Sequence, residues 1–180
     1  QQVRFIPNPK EGRSSAGNAG LAAAQGRWLM FLDDDDLIFA DHIETLVQVL
    51  NKNPDYAAAY ALAFEVLTDM AADRKSYTET HFNTPHTFFQ AWDYAVLQHH
   101  NFIPIQAIIF QRELYAHWGG FDVDLDQLED WHLWLRYGYK QQFFYVPKTT
   151  SLFRSPAKLD IRTNRALMLH EAYEEAKKRA

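Results

Sequence analysis

The chain has 180 residues, 47% of them hydrophobic and 15% aromatic, which suits one domain with a sizeable core and excludes a disordered chain. The formal net charge of −5, without a dense Lys/Arg face, argues against a nucleic-acid-binding protein. The absence of cysteine excludes disulfides, thiolate metal sites and a cysteine nucleophile. The apolar runs are too short to span a bilayer and the polar start is unlike a signal peptide, so we expect a cytoplasmic protein, at most peripheral to the membrane face.

The first half of the chain predicts a β-α-β unit. Residues 2–6 are typical of a short strand, and Ser14 or Ser15 is expected to cap a helix of small residues that ends at Gly26. The run WLMFL, residues 28–32, has the continuous apolarity of a strand buried on both faces in a parallel sheet. The next predicted elements are a helix that starts at residue 41 and ends before Pro54, a strand over 56–67, and a polar loop or hairpin over 68–85.

The second half continues the alternation of strands and helices. Gly119 and Gly120 are expected to close one of the helices. The predicted helices cover 87–97, 111–118, 128–138 and 164–180, and the predicted strands cover 106–110, 142–146 and 150–154. This order predicts an α/β fold with helices on both faces of a mostly parallel sheet.

Four aspartates, Asp33–Asp36, directly follow the apolar run WLMFL. In an extended chain Asp33 and Asp35 point to the same side, with Cα atoms roughly 6.5 to 7 Å apart. Two such carboxylates can share a hard divalent cation whose remaining positions take phosphate oxygens. The alternative is a solvated turn that caps the next helix, a reading that we accept for Asp36 and extend to Asp34.

A second acidic pair, Glu129 and Asp130, opens the predicted helix over 128–138. Helical spacing gives this helix a polar face of Glu129, His132 and Arg136 and an apolar face of Trp131, Trp134 and Leu135. Asp130 falls on the flank between core and cleft. It can cap the helix, which spacing alone favours, or accept a proton from a hydroxyl nucleophile.

Together, two stretches of the sequence resemble family 2 glycosyltransferases. RSSAGNAGLAAAQGRWLMFLDDDDLI is similar to the helix, strand and D-x-D motif of that family, and GGFDVDLDQLEDWHLWLRYG is similar to its later G-G-F-D and Glu-Asp pair. The resemblance covers most of residues 2–155. It implies a GT-A (Rossmann-like) fold and inverting transfer of a sugar from a nucleotide-sugar, in pathways such as bacterial cell-surface polysaccharide synthesis.

The resemblance also implies roles for the acidic residues. Asp33 and Asp35 would hold Mn²⁺ or Mg²⁺ against the donor diphosphate, with Asp36 as a supporting neighbour. Asp130 would be the general base, and Glu129 would help to place the acceptor. The implied partners are a nucleotide-sugar donor, with a UDP-sugar as the leading candidate, and a saccharide or lipid-linked acceptor.

Several features depart from the family pattern. Gly17 stands where the family often has Arg, before Asn18, which is expected to contact the donor. Arg154 lacks the family's following His and is expected either to meet the diphosphate or to be a surface arginine. The family's nucleobase-binding strands have no counterpart, so we expect residues 1–180 to form the C-terminal portion of a single GT-A-like domain. The unpaired sheet edge would then favour self-association.

Two alternative functions remain open at this point, and two groups of conspicuous residues are not expected to form a functional site. One rival is a haloacid dehalogenase-type phosphatase, whose first D-x-D aspartate is the nucleophile, although Leu37 stands where that motif wants Thr or Val. The other is a folded glycosyltransferase fragment without activity. His99 and His100 have no partner at zinc-ligand spacing. The aromatic residues Trp118, Phe121, Trp131 and Trp134 are expected to belong to the core rather than to a sugar-stacking platform.

Overall fold

The computed structural model describes residues 3–8, 12–72, 75–125 and 127–180, and its central element is a six-stranded sheet. The strands are β1 (Trp28–Leu29), β2 (Leu37–Ile38), β3 (Ala58–Met70), β4 (Tyr77–Asn83), β5 (Ile108–Gln111) and β6 (Phe143–Pro156). The helices are α1 (Arg13–Ala23), α2 (His42–Lys52), α3 (Tyr94–Leu97), α4 (Arg112–Trp118), α5 (Glu129–Gly138) and α6 (Leu159–Arg179). Short 3₁₀ turns occupy His86–Phe88 and Ile105–Ala107.

The strands lie in the order β1-β5-β3-β6-β2, and β4 pairs with the far part of β3 as a hairpin. The pair β3–β6 is parallel, and the other described pairs are antiparallel. The α/β class is as predicted, but the expectation of a mostly parallel sheet is wrong. The direction of a strand depends on its distant partners, which apolarity alone does not specify.

The first part of the predicted β-α-β unit differs most from the structure. Residues 3–6 form no strand, and residue 2 lies outside the described part of the chain. Within 28–32, β1 spans Trp28–Leu29 and pairs with β5 at the sheet edge, so these residues are half-buried rather than buried on both faces. α1 starts after Gly12, whose φ of 88° is a left-handed value, and ends at Ala23 instead of Gly26.

Among the later elements, α6 starts at Leu159, five residues before the predicted helix, and two others differ more. Asp93 accepts hydrogen bonds from the backbone N–H groups of Ala95 and Val96, at 2.8 and 3.3 Å, and so starts α3 well inside the predicted helix 87–97. β6 is one long strand where two were predicted, since it follows β3 through register shifts on either side of Leu62. The predicted hairpin option for 68–85 is confirmed by the pairing of β3 and β4.

The core lies on both faces of the sheet, because alternate residues of β3 point to opposite sides. One cluster surrounds α5, and its members include the large side chains of Trp131, Trp134, Tyr137, Phe102 and Phe110. The other packs beneath α2 and includes Leu46, Leu50, Ala59, Ala61, Ile109 and Val146. The prediction that the aromatic residues Trp118, Phe121, Trp131 and Trp134 belong to the core is confirmed. The predicted polar face of α5 is not open to solvent, because Glu129 and His132 on that face are also buried.

His42 provides a pH-dependent test of this core. It is fully buried at the start of α2, its Nδ1 lies 2.7 Å from Thr150 Oγ1, and burial lowers its pKa from 6.5. Below that value the unfolded chain takes up a proton that the folded chain refuses, so the free energy of unfolding should fall as pH drops through about 6.5. We expect urea unfolding to show a smaller loss for His42→Gln than for the wild type between about pH 7.5 and about pH 5.5. Equal losses in the two proteins would contradict this.

Within the described residues, no helix has both the length and the apolarity needed to cross a membrane.

Candidate functional site

The acidic run forms a tight turn between β1 and β2. The backbone N–H of Asp36 donates to the Asp33 carbonyl at 3.2 Å, so the chain is turned here and not extended as predicted. Asp33, Asp35 and Asp36 nevertheless line the same cavity, whereas Asp34 is exposed and is not part of its lining. The turn thus separates one aspartate from the other three.

The cavity has a volume of about 390 Å³ and brings together segments that are far apart in the sequence. The acidic turn forms one side, and Glu129 and Asp130 at the start of α5 form another. The wall also includes residues 103–106, Phe153 and Arg154 of β6 and two residues of α6. The structure therefore places both predicted acidic groups on one cavity.

Asp36 is the buried member of the turn, with 9% of its surface exposed. Burial, together with the negative charges of Asp35 and Asp33, raises its pKa to about 7. The reading of Asp36 as part of a solvated turn is wrong. A site with this much negative charge favours a cation among the aspartates.

Asp130 is held by hydrogen bonds at both carboxylate oxygens. Its Oδ1 accepts from the backbone N–H of Trp131 at 2.7 Å, and its Oδ2 accepts from Asn101 Nδ2 at 3.0 Å. Asn101 is fixed in turn, because its Oδ1 accepts from the backbone N–H of Ile103 at 3.0 Å. Burial raises the pKa of Asp130, while these two hydrogen bonds favour its ionised form. The arrangement suits an oriented proton acceptor.

Arg13, which is not among the predicted site residues, connects the two acidic groups. Its Nε lies 2.9 Å from Glu129 Oε1, and its Nη2 lies 3.1 Å from Asp33 Oδ2. The sequence did contain a signal for this residue. A cation at the first position of a helix is disfavoured by the helix dipole unless acidic side chains pair with it. Glu129 is 6% exposed, and burial and Asp130 raise its pKa while Arg13 opposes the rise.

Arg154 is anchored between the acidic turn and the β3–β4 hairpin. One terminal nitrogen donates to the Asp35 carbonyl oxygen, and the other lies 3.0 Å from Glu79 Oε1. Its guanidinium also lies 5.0 Å from the centre of the Tyr77 ring. With 14% of its side chain exposed, Arg154 is not the free surface arginine of the alternative reading.

Asn18 lies away from this cavity. Its Nδ2 donates to the Phe121 carbonyl at 2.9 Å, and its Oδ1 accepts from the Phe121 backbone N–H at 2.7 Å. The ring of Phe121 also explains Gly17, since a Cβ there would lie 2.5 Å from Phe121 Cε2. Asn18 thus ties α1 to the loop before α5, and its expected contact with the nucleotide-sugar stays a prediction.

The residues at the acidic turn fit a divalent cation that is shared with a substrate. The described part of the chain contains no group of three or more His, Asp or Glu side chains placed to hold a metal by themselves. Mg²⁺ and related ions, however, are commonly held by one or two carboxylates together with substrate phosphates. Asp33 and Asp35 supply oxygen ligands of that kind on one cavity.

Comparison with protein families gives a match to the model described as "Glycosyl transferase family 2" over residues 1–114. This range includes α1 and the acidic turn and ends before α5. An uncharacterized glycosyltransferase of Haemophilus influenzae is 36% identical over 50 residues, which are 28% of this chain and 17% of that protein. One of Rickettsia felis is 34% identical over 53 residues, or 29% and 9% of the two chains.

Among solved structures, S. aureus TarS 1-349 is similar, with a TM-score of 0.58 and 13% identity, over 76% of this chain and 38% of that one. The TarS 1-349 complex with UDP gives a TM-score of 0.52 and 14% identity, over 77% and 38%. The likeness confirms the predicted GT-A type of α/β fold. This chain matches well under half the length of each of these proteins. The family match also decides against the phosphatase considered for the D-x-D motif.

Proposed function

Because the chain belongs to glycosyl transferase family 2, we propose that it transfers a sugar from a nucleotide-diphosphate sugar to an acceptor hydroxyl, with inversion at the anomeric carbon. The observation that carries this proposal is the shared cavity of the acidic turn and the start of α5. A similar fold has been solved with UDP, which supports a UDP-sugar as the donor.

On the donor side, Asp33 and Asp35 would hold Mn²⁺ or Mg²⁺. When bound, the cation would offset the negative charge that develops on the leaving diphosphate. Asp36 lies behind them as a buried neighbour, and Arg154 keeps the turn in place through the Asp35 carbonyl. Arg154 also lines the cavity, so its charge is available to the diphosphate.

On the acceptor side, Asp130 would take the proton of the attacking hydroxyl. The acceptor oxygen forms a bond to the anomeric carbon as the bond from that carbon to the diphosphate oxygen breaks, and the electron pair leaves with the diphosphate. Attack opposite the leaving group inverts the carbon. Glu129, held by Arg13, supports the neighbouring wall and would help to place the acceptor.

The acceptor itself is proposed as a saccharide or lipid-linked sugar. Phe88 and Phe153 line the cavity with ring centres 5.9 Å apart, and aromatic faces of this kind pack against sugar rings. The predicted cytoplasmic location, the single domain and self-association stay predictions.

The test of this function is calorimetric titration of the chain with UDP, with and without Mn²⁺. We expect Mn²⁺ to strengthen UDP binding by about tenfold or more, and we expect Asp35→Ala to remove that gain because the variant lacks one carboxylate ligand. Asp34→Ala is the matched control, since Asp34 adjoins Asp35 but does not line the cavity.

Equal effects of the two substitutions would argue against a cation held by the acidic turn. No binding of UDP to the wild type under either condition would favour the alternative of a folded fragment without activity.

A further inference from the structure

We propose that Arg13 occupies part of the cation site before substrate arrives and thereby makes binding of the divalent cation and of the nucleotide diphosphate depend on each other. The inference rests on the proposed function. It starts from the position of one guanidinium between Asp33, a proposed metal ligand, and Glu129, a neighbour of the proposed base.

The two ion pairs of Arg13 differ in how firmly they hold. Glu129 is 6% exposed, so breaking its pair with Arg13 would leave a buried carboxylate without its cation. Asp33 is 45% exposed and Arg13 is 58% exposed, and a pair at that exposure contributes little stability. Arg13 is therefore anchored at Nε, while its outer nitrogen can exchange Asp33 for another anion.

The exchange follows from the charges that surround the cavity. A divalent cation that arrives without nucleotide must compete with Arg13 for Asp33, which weakens its binding. A nucleotide diphosphate offers phosphate oxygens both to the cation and to the outer nitrogen of Arg13, and guanidinium–phosphate hydrogen bonds are among the strong ones. The Asp33 carboxylate would then bind the cation instead of pairing with Arg13.

Other described features agree with this role. Arg13 is the first residue of α1, a helix of 11 residues, and it lines the cavity, so the positive end of the helix dipole lies in the part of α1 nearest the cavity lining. Gly17, one helical turn later, has no space for a side chain because Phe121 packs against it. On this helix, Arg13 is thus the cation that reaches the acidic turn.

The test uses Arg13→Gln and two separate titrations, Mn²⁺ alone followed by electron paramagnetic resonance of the free ion, and UDP in the presence of Mn²⁺ followed by calorimetry. We expect opposite changes. Mn²⁺ alone should bind several-fold more tightly, because Asp33 is free and a positive charge is gone, whereas UDP should bind about tenfold more weakly because a charged hydrogen-bond donor is lost. The factor by which each ligand strengthens the other should fall accordingly.

Two further variants make the result specific. Arg27→Gln removes the same charge from an exposed residue that stacks on Trp28 outside the cavity, and it should change neither titration. Arg13→Lys keeps the charge but lacks the planar fork that bridges two acids, so it should shift both titrations in the same directions by less. If circular dichroism shows that Arg13→Gln is unfolded, both titrations are carried out with Arg13→Lys instead.

The possible outcomes distinguish failure of this inference from failure of the proposed function on which it rests. If the wild type binds UDP with Mn²⁺ but Arg13→Gln leaves both affinities unchanged, or weakens both, the coupling role is wrong while the proposed function stands. If the wild type does not bind UDP at all, the proposed function fails, and a tighter binding of Mn²⁺ alone by Arg13→Gln still supports competition for Asp33.

Discussion

Asp130→Asn is expected to slow sugar transfer by about 10²- to 10⁴-fold while leaving the affinity for UDP with Mn²⁺ unchanged. The amide is nearly the same size as the carboxylate but cannot accept the proton of the acceptor hydroxyl. The hydrogen bonds from Asn101 and from the Trp131 backbone hold the carboxylate at the start of α5, a different segment of the cavity wall from the acidic turn that is proposed to hold the cation. The effect should therefore fall on turnover, measured as UDP released from UDP-sugars in the presence of a panel of saccharide acceptors.

Asp124→Asn is the matched control for that variant. Asp124 lies in the loop before α5, is 77% exposed and does not line the cavity, so its substitution should leave turnover near the wild-type value. Turnover of Asp130→Asn within a factor of about three of the wild type would remove Asp130 from the role of general base.

Trp134→Ala is expected to cost about 3–5 kcal/mol in the free energy of unfolding. The side chain is fully buried, contacts the Phe110 ring edge to face, and donates from Nε1 to the Ile103 carbonyl at 3.2 Å. Because domains are usually stable by only about 5–15 kcal/mol, the variant should sit close to its unfolding transition at room temperature. Urea denaturation followed by far-ultraviolet circular dichroism measures the difference.

Trp134→Phe separates the two contributions. It keeps most of the apolar volume but leaves the Ile103 carbonyl without its donor, which should cost about 1–3 kcal/mol. An alanine variant as stable as the phenylalanine variant would show that packing around α5 contributes less than its burial indicates. Both variants also act on the cavity, since Ile103 belongs to its wall.

The parts of the fold that could be predicted from sequence carry their own local signals. α2 and α5 have apolar periodicity and start and stop residues within a dozen positions, and β3 is a long apolar run. The direction and edge position of β1 were not predictable in that way, because they depend on pairing with β5, about 80 residues later. A short apolar run also looks the same whether one face or both are covered.

In the candidate site too, the residues with local sequence signals were predictable and those that depend on distant partners were not. The aspartates stand in recognisable motifs, so their collection on one cavity follows from the fold that those motifs imply. Arg13 opens the first of the two stretches that resemble the family, but no pattern in it selects this residue, and Asn101 stands in neither stretch. Their partners lie far away in the sequence, as in the pairs Arg13–Glu129 and Asn101–Asp130. For the acidic run, the sequence left an extended chain and a turn both open, since aspartate is common in turns. The backbone hydrogen bond from Asp36 to the Asp33 carbonyl shows that the chain turns.

The β3–β4 hairpin has a consequence for how this protein can change in evolution. β4 is exposed over nearly its whole length, so most substitutions there cost little packing. Two of its residues, Tyr77 and Glu79, nevertheless hold Arg154, which in turn holds the Asp35 carbonyl. Mutations on an otherwise permissive surface strand can therefore adjust the acidic turn through a single arginine, at almost no loss of stability.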